Sequence, residues 1–194
     1  TAPGTGTTAE GLVYVKTGES AVLSGNVTAN AFTKFGSGTL TLTGANMISG
    51  DLSVQDGIVR IGSAGALSRL NTELNINEGA TLDLNGFNVA VETLGNNNRQ
   101  VATTSLGGLV TNSSATTSTL MMAGPISSAF NGVMDLNLKL VKAGSGVLTL
   151  NGYSASSPDA GNNSFTGGTD IYGVISPSIL GATTTANSNS VTVA

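Results

Sequence analysis

Apolar and polar side chains alternate along most of this chain. Thr39-Leu40-Thr41-Leu42-Thr43 shows the pattern plainly. Leu74-Asn75-Ile76-Asn77, Thr81-Leu82-Asp83-Leu84, Asn88-Val89-Ala90-Val91, Leu136-Asn137-Leu138-Lys139-Leu140 and Val147-Leu148-Thr149-Leu150 repeat it. Successive side chains of a strand point to opposite faces, so each segment predicts a short strand with one apolar and one Thr/Asn-rich face. Between them stand Gly36-Ser37-Gly38, Asn46, Gly50, Asp56-Gly57, Glu78-Gly79, Asn85-Gly86 and Asn151-Gly152. These residue types accept left-handed backbone at tight corners. Leu, Glu, Lys, Arg and Gln never gather at helical spacing, and Gly, Thr, Ser and Asn interrupt every window. The expectation is an all-β chain of short strands joined by corners.

A long repeat organises these strands. Residues 34–44 (KFGSGTLTLTG) and 142–152 (KAGSGVLTLNG) are identical at eight of 11 positions, at an offset of 108. Asn46–Gly50 is echoed by Asn163–Gly167 after ten extra residues at 153–162, and Val22-Leu23-Ser24-Gly25 by Met121-Met122-Ala123-Gly124. A period of this length reads as about five coils of roughly 20 residues, the spacing of solenoids. The chain is then a single domain, 1–194. It holds a first repeat unit at about 20–117, a partial second at about 118–182, and terminal segments 1–19 and 183–194. A sandwich or barrel would also alternate strands and turns. Three features favour the solenoid: short unequal strands, the Asp56-Gly57 corner between Leu52–Val54 and Ile58–Ile61, and outward Thr, Ser and Asn able to stack between coils. At about 4.8 Å per coil, nine or ten coils would make a rod of roughly 45 Å around a column of Leu, Val and Ile.

Composition narrows the chemistry. The 194 residues include seven Lys or Arg and 11 Asp or Glu, for a net charge of −4. Charged residues are 9% of the chain, against about 25% in an ordinary soluble domain. Gly, Thr, Ser and Asn account for 94 residues, nearly half. Cys, His and Trp are absent. That removes disulfides, thiolate nucleophiles, Cys/His zinc sites and every mechanism with a histidine base. An isoelectric point near 4.5 with scattered basic residues opposes nucleic-acid binding. A hydrophobic fraction of 39% opposes charge-driven disorder. No apolar run approaches the roughly 18 residues of a membrane-spanning helix. The start at Thr1, without Met or signal peptide, reads as a processed chain or a segment cut from a larger one. The lack of Cys fits export through a bacterial envelope.

At the KxGSGxLTLxG segments the sequence resembles a known family. Lys34 to Asn46, Ser49-Gly50-Asp51-Leu52-Ser53-Val54, Asp56 to Gly62 and Asn77 to Phe87 are similar to the autotransporter-associated β-strand repeat of bacterial passenger regions. The second copy departs from it at Tyr153–Asn162 and at Asp170-Ile171-Tyr172-Gly173. The resemblance implies a right-handed parallel β-helix. It also implies a location at or beyond the bacterial outer membrane, and a scaffold role supporting adhesive, enzymatic or self-associating parts elsewhere.

Candidate sites are few. The acids of the repeat region are Asp51, Asp56, Glu78, Asp83, Asp159 and Asp170, read as solvated corner or outward residues. A glycosidase or lyase would need two or three of them in one groove, with aromatic platforms. The tyrosines are Tyr14, Tyr153 and Tyr172. Gly167-Gly168-Thr169-Asp170 faintly matches a calcium nonapeptide and does not recur. Gly36-Ser37-Gly38 precedes a strand and has no His partner, so it is a corner rather than a nucleophile elbow. The sequons at Asn26, Asn112 and Asn162 are expected by chance in such a composition. Lys34 and Lys142 sit at equivalent repeat positions. They are read as charges blunting an exposed coil edge, the alternative being a periodic binding stripe. The apolar Leu12–Val15 and the strand-like Val191-Thr192-Val193 near the two ends invite head-to-tail stacking. The resulting expectation is a non-catalytic structural β-helix of a secreted or surface protein, with no catalytic, metal or cofactor residue assigned. The rivals are an end-to-end fibre subunit, a polysaccharide-binding or -cleaving β-helix, and an adhesin acting through Tyr153–Asn162.

Overall fold

The computed structural model describes residues 9–67, 72–96, 107–150 and 163–172, together with the backbone of 174–177 and 191–193. Alternation becomes strand at the expected segments, except that Leu136 and Asn137 form a bend, with Leu136 at φ +60°, and the strand there begins at Leu138. The first turn carries β1 (Glu10–Tyr14), β2 (Ser20–Leu23) and β3 (Thr28–Ala29). The second carries β4 (Ala31–Phe35), β5 (Thr39–Leu42) and β6 (Met47–Ile48). β7 (Asp51–Val54) and β8 (Gly57–Ile61) belong to the third, and β9 (Glu73–Ile76), β10 (Ala80–Asp83) and β11 (Val89–Val91) to the fourth. The fifth has β12 (Thr93–Gly95), β13 (Leu109–Thr111) and β14 (Ser118–Met122). The sixth has β15 (Ser128–Phe130), β16 (Val133–Met134) and β17 (Leu138–Lys142). β18 (Val147–Leu150), β19 (Thr169–Ile171), β20 (Val174–Pro177) and β21 (Val191–Val193) carry the stack on.

These strands line three faces. The first holds β1-β4-β7-β9-β12 and continues into β15-β18-β20, with the Asn131 amide donating to Asn96 Oδ1 at 3.0 Å across the join. The second holds β2-β5-β8-β10-β13-β16. The third begins with β3-β6 and resumes as β11-β14-β17-β19-β21. Thr72, which donates to the Ile48 carbonyl and accepts from the Glu92 amide, links its two parts. Among the described residues every strand ladder is parallel. A sandwich or up-and-down barrel is built from antiparallel hairpins, so the fold is a parallel β-solenoid.

The turn count differs from expectation. Among the described residues the second face stacks six strands, about six turns of parallel solenoid, and the nine or ten expected coils are not seen there. The reason lies in the step. Ser20 stands opposite Thr39 and Thr39 opposite Ile58, steps of 19 residues; Ile58 to Thr81, Thr81 to Leu109 and Leu109 to Val133 take 23, 28 and 24. Longer excursions at the corners consume chain without adding a turn.

Inward residues stack into apolar columns. Phe32, Leu52, Leu74 and Leu94 follow one another on the first face, and Leu40, Val59, Leu82, Val110 and Met134 on the second, all fully or almost fully buried. Each such side chain contributes about 1.5–3 kcal/mol of burial. The outward rows are less uniform than stacked hydroxyls and amides: Val22, Thr41, Arg60, Asp83 and Thr111 lie in one row. Most asparagines work at the corners, where Asn26 Oδ1 accepts from Ala45 N at 2.8 Å and Asn88 Oδ1 from Thr119 N at 2.8 Å.

Candidate functional site

The most constructed place in the molecule is the corner that follows β4. Alternation in Ala31–Phe35 turns Phe32 and Lys34 inward and Thr33 outward. Lys34 therefore continues an inward column between Val13 and Val54, with no exposed surface. A bare ammonium there would be prohibitively desolvated. Instead its Nζ donates to three backbone carbonyls: Gly36, Gly38 at 2.6 Å and Asp56, one turn further on, at 2.7 Å. Burial pushes the Lys34 pKa below that of an ordinary lysine, and the negative charge of Asp56 pulls the other way. Gly36 makes the bend at φ +79°, a value that would strain an L side chain. Gly57, at φ +67°, completes the cradle, because a Cβ there would collide with Lys34 Nζ and the carbonyls of Gly36 and Gly38.

The second copy rebuilds the corner. Lys142 is 3% exposed, and its Nζ donates to the carbonyls of Ala143 and Gly144, the latter at 3.2 Å. Gly144 has φ +77°. Gly38 N donates to Val15 O and Gly146 N to Gly124 O, so both corners hang from the preceding turn in the same way. Burial lowers the Lys142 pKa as well. Both lysines thus overturn the sequence reading: neither blunts an edge nor forms a binding stripe, because both are buried structural cations. Asn46 and Asn163 are the other shared posts, with Oδ1 accepting from Val27 N and from Met134 N, each at 2.9 Å.

The echo between Val22–Gly25 and Met121–Gly124 does not hold in three dimensions. The former runs out of the end of β2, above β5, whereas the latter runs out of the end of β14, above β17. The counterpart of β14 is β1, the strand above β4.

The candidate acids are dispersed. Asp51 lies in β7 on the first face, opposite Glu73; Asp83 in β10 on the second; Asp170 in β19 on the third. Asp56 and Glu78 stand at corners, where Asp56 Oδ1 accepts from Gly57 N at 2.7 Å. Asp159 falls outside the described residues, as do Tyr153 and the rest of 153–162. Asp170, the residue of the faint calcium pattern, is bound by Lys139 Nζ at 2.6 Å. Among the described residues no three carboxylates converge as a metal would require. Tyr14 packs against Phe35 with ring centroids 5.4 Å apart on the outer first face, and Tyr172 is exposed on the third.

Asp83 corrects the solvated-acid reading most sharply. It is almost fully buried and accepts from Ser113 N at 3.0 Å, Ser113 Oγ at 2.8 Å, Arg60 Nε at 2.9 Å and Asn85 N at 2.9 Å. Burial raises its pKa, but these hydrogen bonds outweigh burial and hold the carboxyl below the usual range. Asp135, not singled out in the sequence, shows the opposite balance. Burial pushes its pKa up, the Thr111 hydroxyl opposes, and its Oδ1 has no donor. Asn112, also unflagged as a structural post, accepts from Gly86 N and Ser114 N and donates to the carbonyls of Thr116 and Asn137.

The two lysine corners coincide with what known proteins share. Residues 32–61 and 140–173 match the family model of the passenger-associated-transport-repeat. The chain carries the autotransporter passenger repeat. Each match takes in a lysine strand, its glycine corner and the strand beyond. Over 130 residues, 67% of this chain, the sequence is 34% identical to the adhesin BmaC autotransporter of Brucella suis biovar 1 (strain 1330). The matched stretch spans 4% of that protein's length. No solved structure matches the chain. Among the described residues no helix is long and apolar enough to cross a membrane.

Proposed function

We propose that this chain is a non-catalytic structural segment of a secreted or surface-exposed bacterial passenger: a scaffold that gives length and rigidity to a larger adhesin-type protein. The single observation that carries the reading is the passenger repeat itself. Its shared residues are spent on building corners and joining turns: Lys34 reaches the Asp56 carbonyl of the next turn, Lys142 closes its own glycine corner, and Asn46 and Asn163 each accept an amide from the preceding turn. The winding is right-handed in this reading, as nearly all strand–crossover–parallel strand connections are, and 1–194 forms one solenoid domain. The location is extracellular or at the outer-membrane surface. Adhesion, if the parent protein performs it, need not reside in these turns.

The test uses the parent protein on intact cells. An epitope inserted at Ile126, an exposed corner residue, should be reached by antibody without permeabilising the envelope; a signal only after lysis would overturn the surface location. Purified chain incubated with a polysaccharide panel should release neither reducing ends nor unsaturated products; turnover would overturn the non-catalytic role.

A further inference from the structure

Three features of the Lys34 corner are independent of the surface-scaffold reading. Carbonyls from two successive turns, those of Gly36 and Gly38 and that of Asp56, converge on one buried point. Gly57 leaves that point open by having no Cβ. What fills it is an ammonium on a side chain whose stem stands in an apolar column between Val13 and Val54.

We propose that this corner is a binding site for a primary alkylammonium cation, with Lys34 as its tethered occupant. Converging carbonyl oxygens present only partial negative charge, and the Asp56 carboxylate adds its field. A site of this kind selects a cation with several N–H donors over a neutral group of equal shape. The stem contributes packing and the ammonium contributes the occupancy of the cage, so the two are separable. Truncation of Lys34 to Ala removes Cγ, Cδ, Cε and Nζ, a fragment with the size and charge of n-propylammonium. Among the described residues the Lys142 ammonium meets only the carbonyls of Ala143 and Gly144 in its own turn, so the two-turn cage belongs to the Lys34 corner.

Thermal unfolding of the 194-residue Lys34→Ala chain is the test, with n-propylammonium chloride, propan-1-ol and sodium chloride added at equal concentrations. n-Propylammonium should raise the variant's Tm in a saturable way, as binding to the folded state alone requires, while the alcohol and the sodium salt do not. Equal rescue by propan-1-ol, or no rescue, overturns the proposal. Lys34→Met keeps the stem and removes the cation; it should be less stable than the parent and insensitive to n-propylammonium, and a variant as stable as the parent overturns the proposal. Should neither variant fold, the unsubstituted protein decides. Nitrogen-15 NMR at neutral pH should show Lys34 Nζ as a protonated ammonium with slowly exchanging hydrogens, and a neutral or fast-exchanging amine overturns the proposal.

Discussion

Lys34 and Lys142 occupy the same place in the sequence repeat but stand on different faces of the solenoid. Lys34 is the penultimate residue of β4 on the first face, and Lys142 ends β17 on the third. The shift is consistent along the unit. β5 lies on the second face and its counterpart β18 on the continuation of the first. Asn46 opens the third-face β6, whereas Asn163 stacks under Met134 of the second face. The repeat is therefore not a whole number of turns. It specifies a lysine strand, a glycine corner and an asparagine post, and this module fits whichever vertex the chain has reached. Three nearly equivalent faces of parallel strands make that possible, since each presents the same inward periodicity to the same core.

If the module is the unit, its corner glycines should be more sensitive than glycines elsewhere with the same backbone. Gly36 and Gly79 both have φ +79°, but a Cβ at Gly36 would meet the Val15 carbonyl and the Tyr14 ring, and one at Gly79 would meet nothing. Gly79→Ala should cost only the left-handed penalty, about 1–2 kcal/mol. Gly36→Ala should cost that plus steric displacement of the preceding turn, about 3 kcal/mol or more. Urea denaturation midpoints at constant slope measure the difference. Equal losses at the two sites would show that the corner is not tightly built.

Asp83 should anchor the second face, with Arg60 as a minor contributor. The carboxylate is buried and fully hydrogen-bonded, while the Arg60 side chain is 41% exposed. Removing the buried partner, in Asp83→Ala, leaves the Ser113 and Asn85 donors unpaired and should cost about 3–5 kcal/mol. Arg60→Met removes a largely solvated contact and should cost less than about 1 kcal/mol. The pH dependence has a definite sign. The folded carboxyl titrates below the unfolded one, so its contribution is present above the ordinary Asp pKa of about 3.9 and is lost as pH falls through the folded value. Melting temperatures between pH 7 and pH 3 should fall more steeply for the parent than for Asp83→Asn; parallel curves would dismiss this role.

Much of the fold was legible because alternation is a strong local signal. Thr39–Thr43 and Val147–Leu150 could hardly be anything but strands, and the parallel stacking followed from corners spaced about 20 residues apart. The buried lysines were also written in the pattern, though masked by residue type. Lys34 shares parity with Phe32, and Lys142 with Leu138 and Leu140, which places both inward. General preference sends Lys outward, and it is reversed by corner carbonyls: those of Gly36, Gly38 and Asp56 for Lys34 and those of Ala143 and Gly144 for Lys142. The Asp83 network joins partners 23 and 30 residues away, and the one-face shift of the repeat depends on equally long excursions, and no local pattern encodes those.

Asn112 offers a test of corner asparagines as a class. Its amide uses both donors and accepts twice, joining Gly86 of one turn to Asn137 of another. Asn112→Asp keeps the acceptor and loses both donations, bringing a carboxylate against the Thr116 and Asn137 carbonyls. Asn112→Ala loses all four contacts. Both should destabilise by about 2–4 kcal/mol, since several buried groups are left unpaired at once. Hydrogen exchange at Gly86 and Ser114, the two amides that donate to Asn112, should accelerate in Asn112→Ala before exchange in β5 does. Uniform acceleration across both regions would mean that Asn112 supports only global stability, not this corner.

Asp135 should behave as a site of stored instability. Its row on the second face continues from Asp83 and Thr111, and one carboxylate oxygen is buried without a donor. Burial raises its pKa above the unfolded value, with the Thr111 hydroxyl opposing only in part. For an acid shifted in this direction, the stabilising contribution is complete below the unfolded pKa and is lost as pH rises through the folded pKa. Above the unfolded pKa the folded protein therefore carries a cost that the unfolded chain, with its solvated carboxylate, does not. Asp135→Asn removes the charge while keeping an oxygen for Thr111. Its stability relative to the parent should improve as pH rises from the ordinary Asp value of about 3.9 through the folded pKa, and level off above it. A difference that stays constant across this range would mean that Asp135 is solvated well enough to ionise freely.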